Sequence, residues 1–163
     1  MRARYCYALA AFVIAADQAS KLAVTRNLSY GEPVPLLPSL NFTLMHNTGA
    51  AFSMLGNAAG WQRWLFAGLA VLASVFIIAS FQRIEPTQRW LRTALALVLG
   101  GALGNLWDRL RFGYVVDFID FYVGTWHFAA FNIADSAITV GAIMLIVHSL
   151  FLDDGASSQS RAR

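Results

Sequence analysis

Charge is scarce in this chain: Asp, Glu, Lys and Arg make up only 13% of 163 residues, about half the share that wets the surface of a soluble domain. Hydrophobic residues supply 58%, and the mean hydropathy is +0.54. These figures exclude an ordinary water-soluble globule and indicate one membrane-embedded domain. The lone cysteine, Cys6, excludes an intrachain disulfide and a cysteine metal site, and reads as an inert packing residue. Basic residues give a net charge of +3 but are scattered singly, with no patch interleaved with aromatics, so nucleic acid is not an expected partner. Gly-x-Ser-x-Gly, His-Glu-x-x-His and a phosphate-cradling glycine loop are all missing. His46, His127 and His148 lie in separate segments, and neither a metal nor a cofactor is expected.

What the chain does have is long uncharged runs. Trp64 to Phe81, bracketed by Arg63 and Arg83, is long enough at about 1.5 Å per residue to cross most of a hydrocarbon core of about 30 Å. Ser136 to Leu152 is a second such run. Tyr5 to Ala16 ends at Asp17, and Thr93 to Trp107 ends at Asp108 and Arg109. Each is too short to cross unless its polar end enters the outer zone of the membrane, where ionisable groups are costly and usually functional. The expected fold is an all-α membrane protein of four transmembrane helices, at about 5–24, 62–82, 92–110 and 134–152, within a single domain over 1–152. The composition of Met1 to Ala16 also suits a cleaved signal peptide. Its continuation into Asp17-Gln18-Ala19-Ser20-Lys21, with two opposite charges four residues apart, favours a retained first helix.

Four spans put both termini on one side. Arg2, Arg4, Arg83, Arg89, Arg92, Arg161 and Arg163 share that side, against Lys21, Arg26, Arg63, Arg109 and Arg111, which makes the terminal side cytoplasmic. Asp17, Glu32, Asp108, Asp117, Asp120 and Asp135 all map outside, so the chemistry is expected there. The outer segment at about 27–60 is not membrane-like, since it holds Pro33, Pro35 and Pro38, and its alternating run Asn41 to His46 with a turn signal at Asn47-Thr48-Gly49 is the pattern of a small extracytoplasmic sheet lying on the bilayer. The serine-containing tail, 153–163, reads as disordered.

Gly100 and Gly104 have the spacing that lets membrane helices approach closely. Gly101, Asn105 and Arg109 follow at four-residue intervals on one face, directing an amide and a guanidinium toward whatever packs there. For Asn105 alone an interhelical hydrogen bond is explanation enough. Asp117 occupies the apolar run Val115 to Tyr122; in a strand it and Asp120 would face opposite ways. Asp135 opens the last span, where an isolated aspartate is by default a helix cap, and Asn132 would share its face in a continuous helix. Two carboxylates in a partly dry site repel, so that one holds a proton while the other stays ionised, the arrangement of an aspartyl hydrolase. Membrane acids beside an arginine also serve ion pathways, but the inner halves of these spans are nearly purely apolar. A non-enzymatic anchor would have no reason to gather acids in separate loops.

The motifs Asp17-Gln18-x-x-Lys21, Asn47-Thr48-Gly49-Ala50-Ala51-Phe52, Gly101-x-x-Gly104-Asn105-x-x-Asp108-Arg109, Val115-Val116-Asp117-Phe118 and Phe131-Asn132-Ile133-Ala134-Asp135-Ser136 together resemble the lipoprotein signal peptidases, the type II signal peptidases of bacteria. All five stand in family order and reach from the first helix to the last. The resemblance implies an aspartyl endopeptidase of the bacterial inner membrane that removes signal peptides from diacylglyceryl-modified prolipoproteins, cutting on the amino side of the lipidated cysteine. It also implies inhibition by globomycin and a substrate that arrives from membrane lipid. On this match Asp117 and Asp135 are the catalytic pair, and their proximity is itself an implication of the match. Asn47, Gly49, Gly101, Gly104, Asn105, Arg109, Asn132 and Ala134 surround them, and Asp17 and Lys21 hold the outer end of the site together. Glu32, Asp108 and Asp120 fall outside the pair and are expected to be structural or solvated.

Overall fold

In the computed structural model, which describes residues 1–49 and 60–152, the glycine-rich helix is the hub. Helix α3 (Arg89–Phe112) packs against α1 (Ala3–Asn27), α2 (Trp61–Arg83) and α4 (Ile133–Val147), and α4 ends in a widened π turn over His148–Leu152. Glycine is what allows this. A Cβ at Gly100 would lie 2.7 Å from the Val13 Cβ and 2.8 Å from the Ala10 carbonyl of α1. A Cβ at Gly101 would collide with the Ala134 carbonyl of α4, and one at Gly141 of α4 would lie 2.7 Å from the Ala94 carbonyl of α3. Lipid tails give helices no hydrophobic reason to associate, so close backbone packing of this kind carries much of the cohesion.

Among the described residues, three helical segments are long and apolar enough to cross a membrane: Ala3–Asn27, Trp61–Arg83 and Ile133–Phe151. The expected third span, α3, does not meet that measure. The physical reason is its position: ringed by three helices, it buries its sides in protein and keeps polar residues that a lipid-facing helix would exclude. Arg92, 2% exposed, donates to the carbonyls of Ile84 and Phe81 at the end of α2, where a cation suits the helix dipole. By contrast α2 exposes Leu65, Leu69, Leu72, Val75 and Phe76 along its length. A core of Cys6, Ala10, Ile77, Phe81, Leu95, Ala96 and Leu99 ties α1, α2 and α3 at one end, and Cys6 is fully buried there.

At the other end sits a four-stranded antiparallel sheet in the order β1 (Pro33–Leu37), β2 (Leu40–Asn47), β3 (Val115–Val123) and β4 (Trp126–His127). The alternating run Asn41 to His46 is indeed a strand. Pro33 and Pro35 lie on β1, an edge strand with one side free of ladder bonds, where proline is tolerated, and Pro38 follows in the turn to β2. Half of the sheet comes from the segment between α3 and α4, so it reaches well beyond the 27–60 region to which the sequence pattern points. Val24, Leu44, Val116 and Phe118 pack it onto α1. The expectations for Ala50 to Phe52 and for the tail 153–163 lie outside the described residues.

Candidate active site

Strand β3 and the start of α4 bring Asp117 and Asp135 to one place, with Asn132 between them. Asp117 is 1% exposed; its Oδ1 accepts from Asn132 Nδ2 at 2.7 Å and its Oδ2 from Asn47 Nδ2 at 3.0 Å. Asn132 is not part of a continuous helix with Asp135. It is the extended N-cap of α4, and Asp135 is the third helical residue. Asn132 Oδ1 accepts from the Asp135 N–H at 2.9 Å, and Asp135 Oδ2 accepts from the Asn132 N–H at 3.3 Å, a reciprocal capping box. The aspartate is therefore the partner of the cap, not the cap. Its other oxygen, Oδ1, accepts from Asn105 Nδ2 at 2.7 Å. Asp135 is half-buried, so the pair has a dry member and one open to the surroundings.

Burial pushes the Asp117 carboxyl up to about 7 from an ordinary value of 3.8, and the negative charge of Asp135 adds to the push. The amides of Asn47 and Asn132 and the ammonium of Lys21 pull the other way without cancelling it. Asp117 is thus able to hold a proton near neutral pH.

The amides around the pair are held in fixed orientations. Asn47 Oδ1 accepts the backbone N–H of Gly49 at 2.8 Å, which leaves its NH2 for Asp117. Gly49 closes this turn at φ +93°, and a Cβ there would lie 2.8 Å from the Phe66 ring, so the position suits only glycine. Asn105 Oδ1 accepts from Lys21 and from Asn132, which leaves its NH2 for Asp135. Arg109 Nη1 donates weakly to the Asn105 carbonyl at 3.4 Å, and the guanidinium lies over the Phe66 ring, in the field of Asp135 and Asp117.

Asp17 and Lys21 form the expected ion pair, at 2.8 Å. Gly104 makes room for it, since a Cβ there would meet Asp17 Oδ2 at 2.9 Å. Ala134, fully buried, donates its N–H to Asp17 Oδ1 at 3.0 Å. Two further residues belong to this cluster. Asp108 pairs with Lys21 at 2.8 Å, and Gln18 Nε2 donates to both Asp17 and Asp108. The signal for Asp108 lay in its position three residues after Asn105, one helical turn along the same side. Asp120 faces away from Asp117, as strand alternation requires, and accepts from Asn41 and Thr43 while facing His127 at 2.8 Å. Burial pushes its carboxyl up, but these partners together outweigh burial and hold it below the usual value.

A cavity of about 470 Å³ lies between α1, α3 and the start of β3, lined by Gln18, Leu22, Trp107, Arg111, Phe112 and Tyr114 among others. It touches Lys21 and Asp108 but neither Asp117 nor Asp135, so it is separate from the carboxylate pair. Among the described residues no group of three or more His, Cys, Asp and Glu is placed to hold a metal ion.

Helices around a central glycine-rich helix with a small sheet at one end are the fold of a membrane enzyme. A solved bacterial membrane enzyme, determined by the in meso method at 1.9 Å, superposes with a TM-score of 0.80 at 31% identity, covering 91% of this chain and 94% of its own. The chain belongs to the signal peptidase II family, whose model, described as signal peptidase (SPase) II, matches residues 9–151. It is 50% identical over 151 residues to a lipoprotein signal peptidase of Escherichia fergusonii, covering 93% of this chain and 92% of that protein. It is 52% identical over 145 residues to one from Acinetobacter baylyi, covering 89% and 81%. The protein is a peptidase of this family.

Proposed function

We propose that this peptidase removes signal peptides from diacylglyceryl-modified prolipoproteins, cutting on the amino side of the lipidated cysteine, with water activated by Asp117 and Asp135. The observation that carries the mechanism is the pair itself: two carboxyls brought together in a site dry enough to push Asp117 up to about 7, both oriented by asparagine amides. Ionised Asp135 takes a proton from water as the water oxygen bonds to the scissile carbonyl carbon. Asp117 gives its proton to the carbonyl oxygen. In the second half Asp135 returns its proton to the leaving nitrogen, Asp117 recovers one from the diol, and the carbon–nitrogen bond breaks. Asn47 and Arg109 offer donors to peptide carbonyls on the approach to the pair, and Asn105 and Asn132 hold the two acids in place.

The single domain over 1–152 sits in the bacterial inner membrane with four crossings, both termini cytoplasmic and the acids outward. Helix α3 crosses inside the other three. Leu36, Leu37, Val123 and Trp126 are exposed on the sheet, which suits a sheet resting on the outer membrane surface where a lipidated substrate arrives laterally. The test is incubation of purified protein with a diacylglyceryl-modified precursor peptide, with and without globomycin. Cleavage before the modified cysteine, blocked by globomycin and absent in stable D117N and D135N variants, is the expected result. Full processing by either variant sinks the mechanism; cleavage of an unmodified precursor at the same rate sinks the specificity.

A further inference from the structure

Lys21 is 3% exposed, and the three donors of its ammonium are matched by three acceptors: Asp17 Oδ2 at 2.8 Å, Asp108 Oδ2 at 2.8 Å and Asn105 Oδ1 at 3.1 Å. The two carboxylates are themselves fully buried. Each also accepts one backbone N–H from a different element: Asp17 from Ala134 at 3.0 Å, and Asp108 from Val116 at 3.1 Å. Ala134 immediately precedes Asp135, and Val116 immediately precedes Asp117. One ammonium therefore grips, through one carboxylate each, the backbone one residue ahead of each acid of the site. Gln18 Nε2 closes the cluster, 3.1 Å from Asp17 Oδ2 and 2.9 Å from Asp108 Oδ1.

Cohesion alone does not call for such a cluster. A buried ion triad is often no more stabilising than well-packed apolar residues of the same volume, because desolvation offsets the attraction. What apolar packing cannot do is fix two peptide groups and one amide orientation at once. The ammonium does so: it holds the Asn105 oxygen, and so turns the Asn105 NH2 to Asp135 at 2.7 Å.

We propose that Lys21 and Asp108 are positioning residues of the peptidase site, forming with Asp17 a strut that sets the separation and orientation of Asp117 and Asp135. The inference rests on reading those two aspartates as the catalytic pair. Coupled carboxylates titrate as a unit, and their repulsion spreads the two apparent values, so the width of the pH–rate bell reports how close they are. The charged groups facing the pair are Asp17 and Lys21 from α1 and Arg109 from α3, with Asp108 behind Lys21 and Arg109, while β2 contributes the neutral Asn47. Removing one of these charges displaces both limbs of the bell in the same direction. Loosening the strut moves the limbs toward each other.

The experiment measures kcat, KM and the pH–rate bell for the full chain and for Asp108→Asn on a diacylglyceryl-modified precursor peptide, alongside thermal unfolding. The double variant Lys21→Gln/Asp108→Asn, which removes a cation and an anion together, is measured in parallel. The strut predicts a fall in kcat on the order of 100-fold for a site misplaced by about an ångström, with KM within about threefold and a narrower bell. Wild-type kcat and bell width in folded D108N overturn it. So does a loss of activity that tracks only the folded fraction with the width unchanged, or failure of both variants to fold, since each assigns the cluster to folding alone. D117N and D135N serve as separate controls: if they cleave, the reading of the pair is what has failed.

Discussion

Asn132 donates its side-chain amide to Asp117 at 2.7 Å while its backbone N–H and side-chain oxygen cap the helix that carries Asp135. One residue thus joins a strand to a helix and one acid to the other. The two duties separate by substitution. Asn132→Ser keeps a capping oxygen and loses the amide; Asn132→Ala loses both. Both variants lose the buried amide, which donates to Asp117, Asn105 and the Val116 carbonyl, and both are expected to be less stable than the parent, the alanine variant by about 1 kcal/mol more because it alone loses the cap. Both are expected to lose cleavage by roughly 100-fold, because both release Asp117. Thermal unfolding in detergent beside a precursor-cleavage assay reads the two effects, and a serine variant cleaving at the parental rate counts against the amide's role.

The raised Asp117 carboxyl ties stability to pH with a definite sign. Its folded value of about 7 lies above the ordinary 3.8, so the folded chain binds this proton more tightly than the unfolded chain. That contribution is fully present below about pH 4, is lost as pH rises, and is gone above about pH 7. In Asp117→Asn the proton no longer titrates. The difference in melting temperature between parent and variant is therefore expected to shift in the variant's favour between pH 5 and pH 8. A constant difference across that range would show that Asp117 is not raised.

Much of this was legible in the sequence because polar residues in an apolar chain stand out. Asp17 with Lys21, and Asn105 with Arg109, announce themselves by helical spacing against a charge-free background. The strand at Asn41 to His46 was readable by alternation. What resisted reading was everything decided by tertiary position. Pro33 and Pro35 sit in a strand because that strand is an edge. Helix α3 is expected from the sequence to be a span, yet it falls short of the apolarity of the other three, and the helices that surround it are not visible in the sequence. Asp108 resembles a solvated helix-end acid until Lys21 and the Val116 N–H are seen to face it. The meeting of Asp117 with Asp135 depends on two elements whose contact no local spacing encodes.

Gly49 links the sheet to α2 through a contact that a single methyl group would spoil. At φ +93° an alanine is strained by about 1 kcal/mol, and its Cβ would press on the Phe66 ring at 2.8 Å. The turn that aims Asn47 at Asp117 would shift with it. Gly49→Ala is expected to lower kcat about tenfold. Adding Phe66→Leu relieves the clash but not the backbone strain, so rescue is expected to be partial. Full rescue would mean that the left-handed backbone is unimportant, and no loss at all would mean that the turn does not orient Asn47.

Gly101 offers the sharpest test of how helix packing serves the site. Its Cα faces the carbonyl of Ala134, and a Cβ there would overlap that oxygen, which belongs to backbone and has no rotamer by which to move aside. The only relief is separation of α3 from α4, and separation stretches the 2.7 Å bond between Asn105 on α3 and Asp135 on α4. Gly68, on α2, has nothing within 4 Å of its Cβ position. Alanine at Gly68 is expected to leave stability unchanged or raise it by up to about 1 kcal/mol through helix propensity. Alanine at Gly101 is expected to cost roughly 1–3 kcal/mol by overpacking and to lower cleavage on the order of 100-fold. Unfolding and cleavage measured on the two variants together separate glycine as a helix breaker from glycine as a contact surface. Equal behaviour of G68A and G101A would remove close α3–α4 packing from the account of the site.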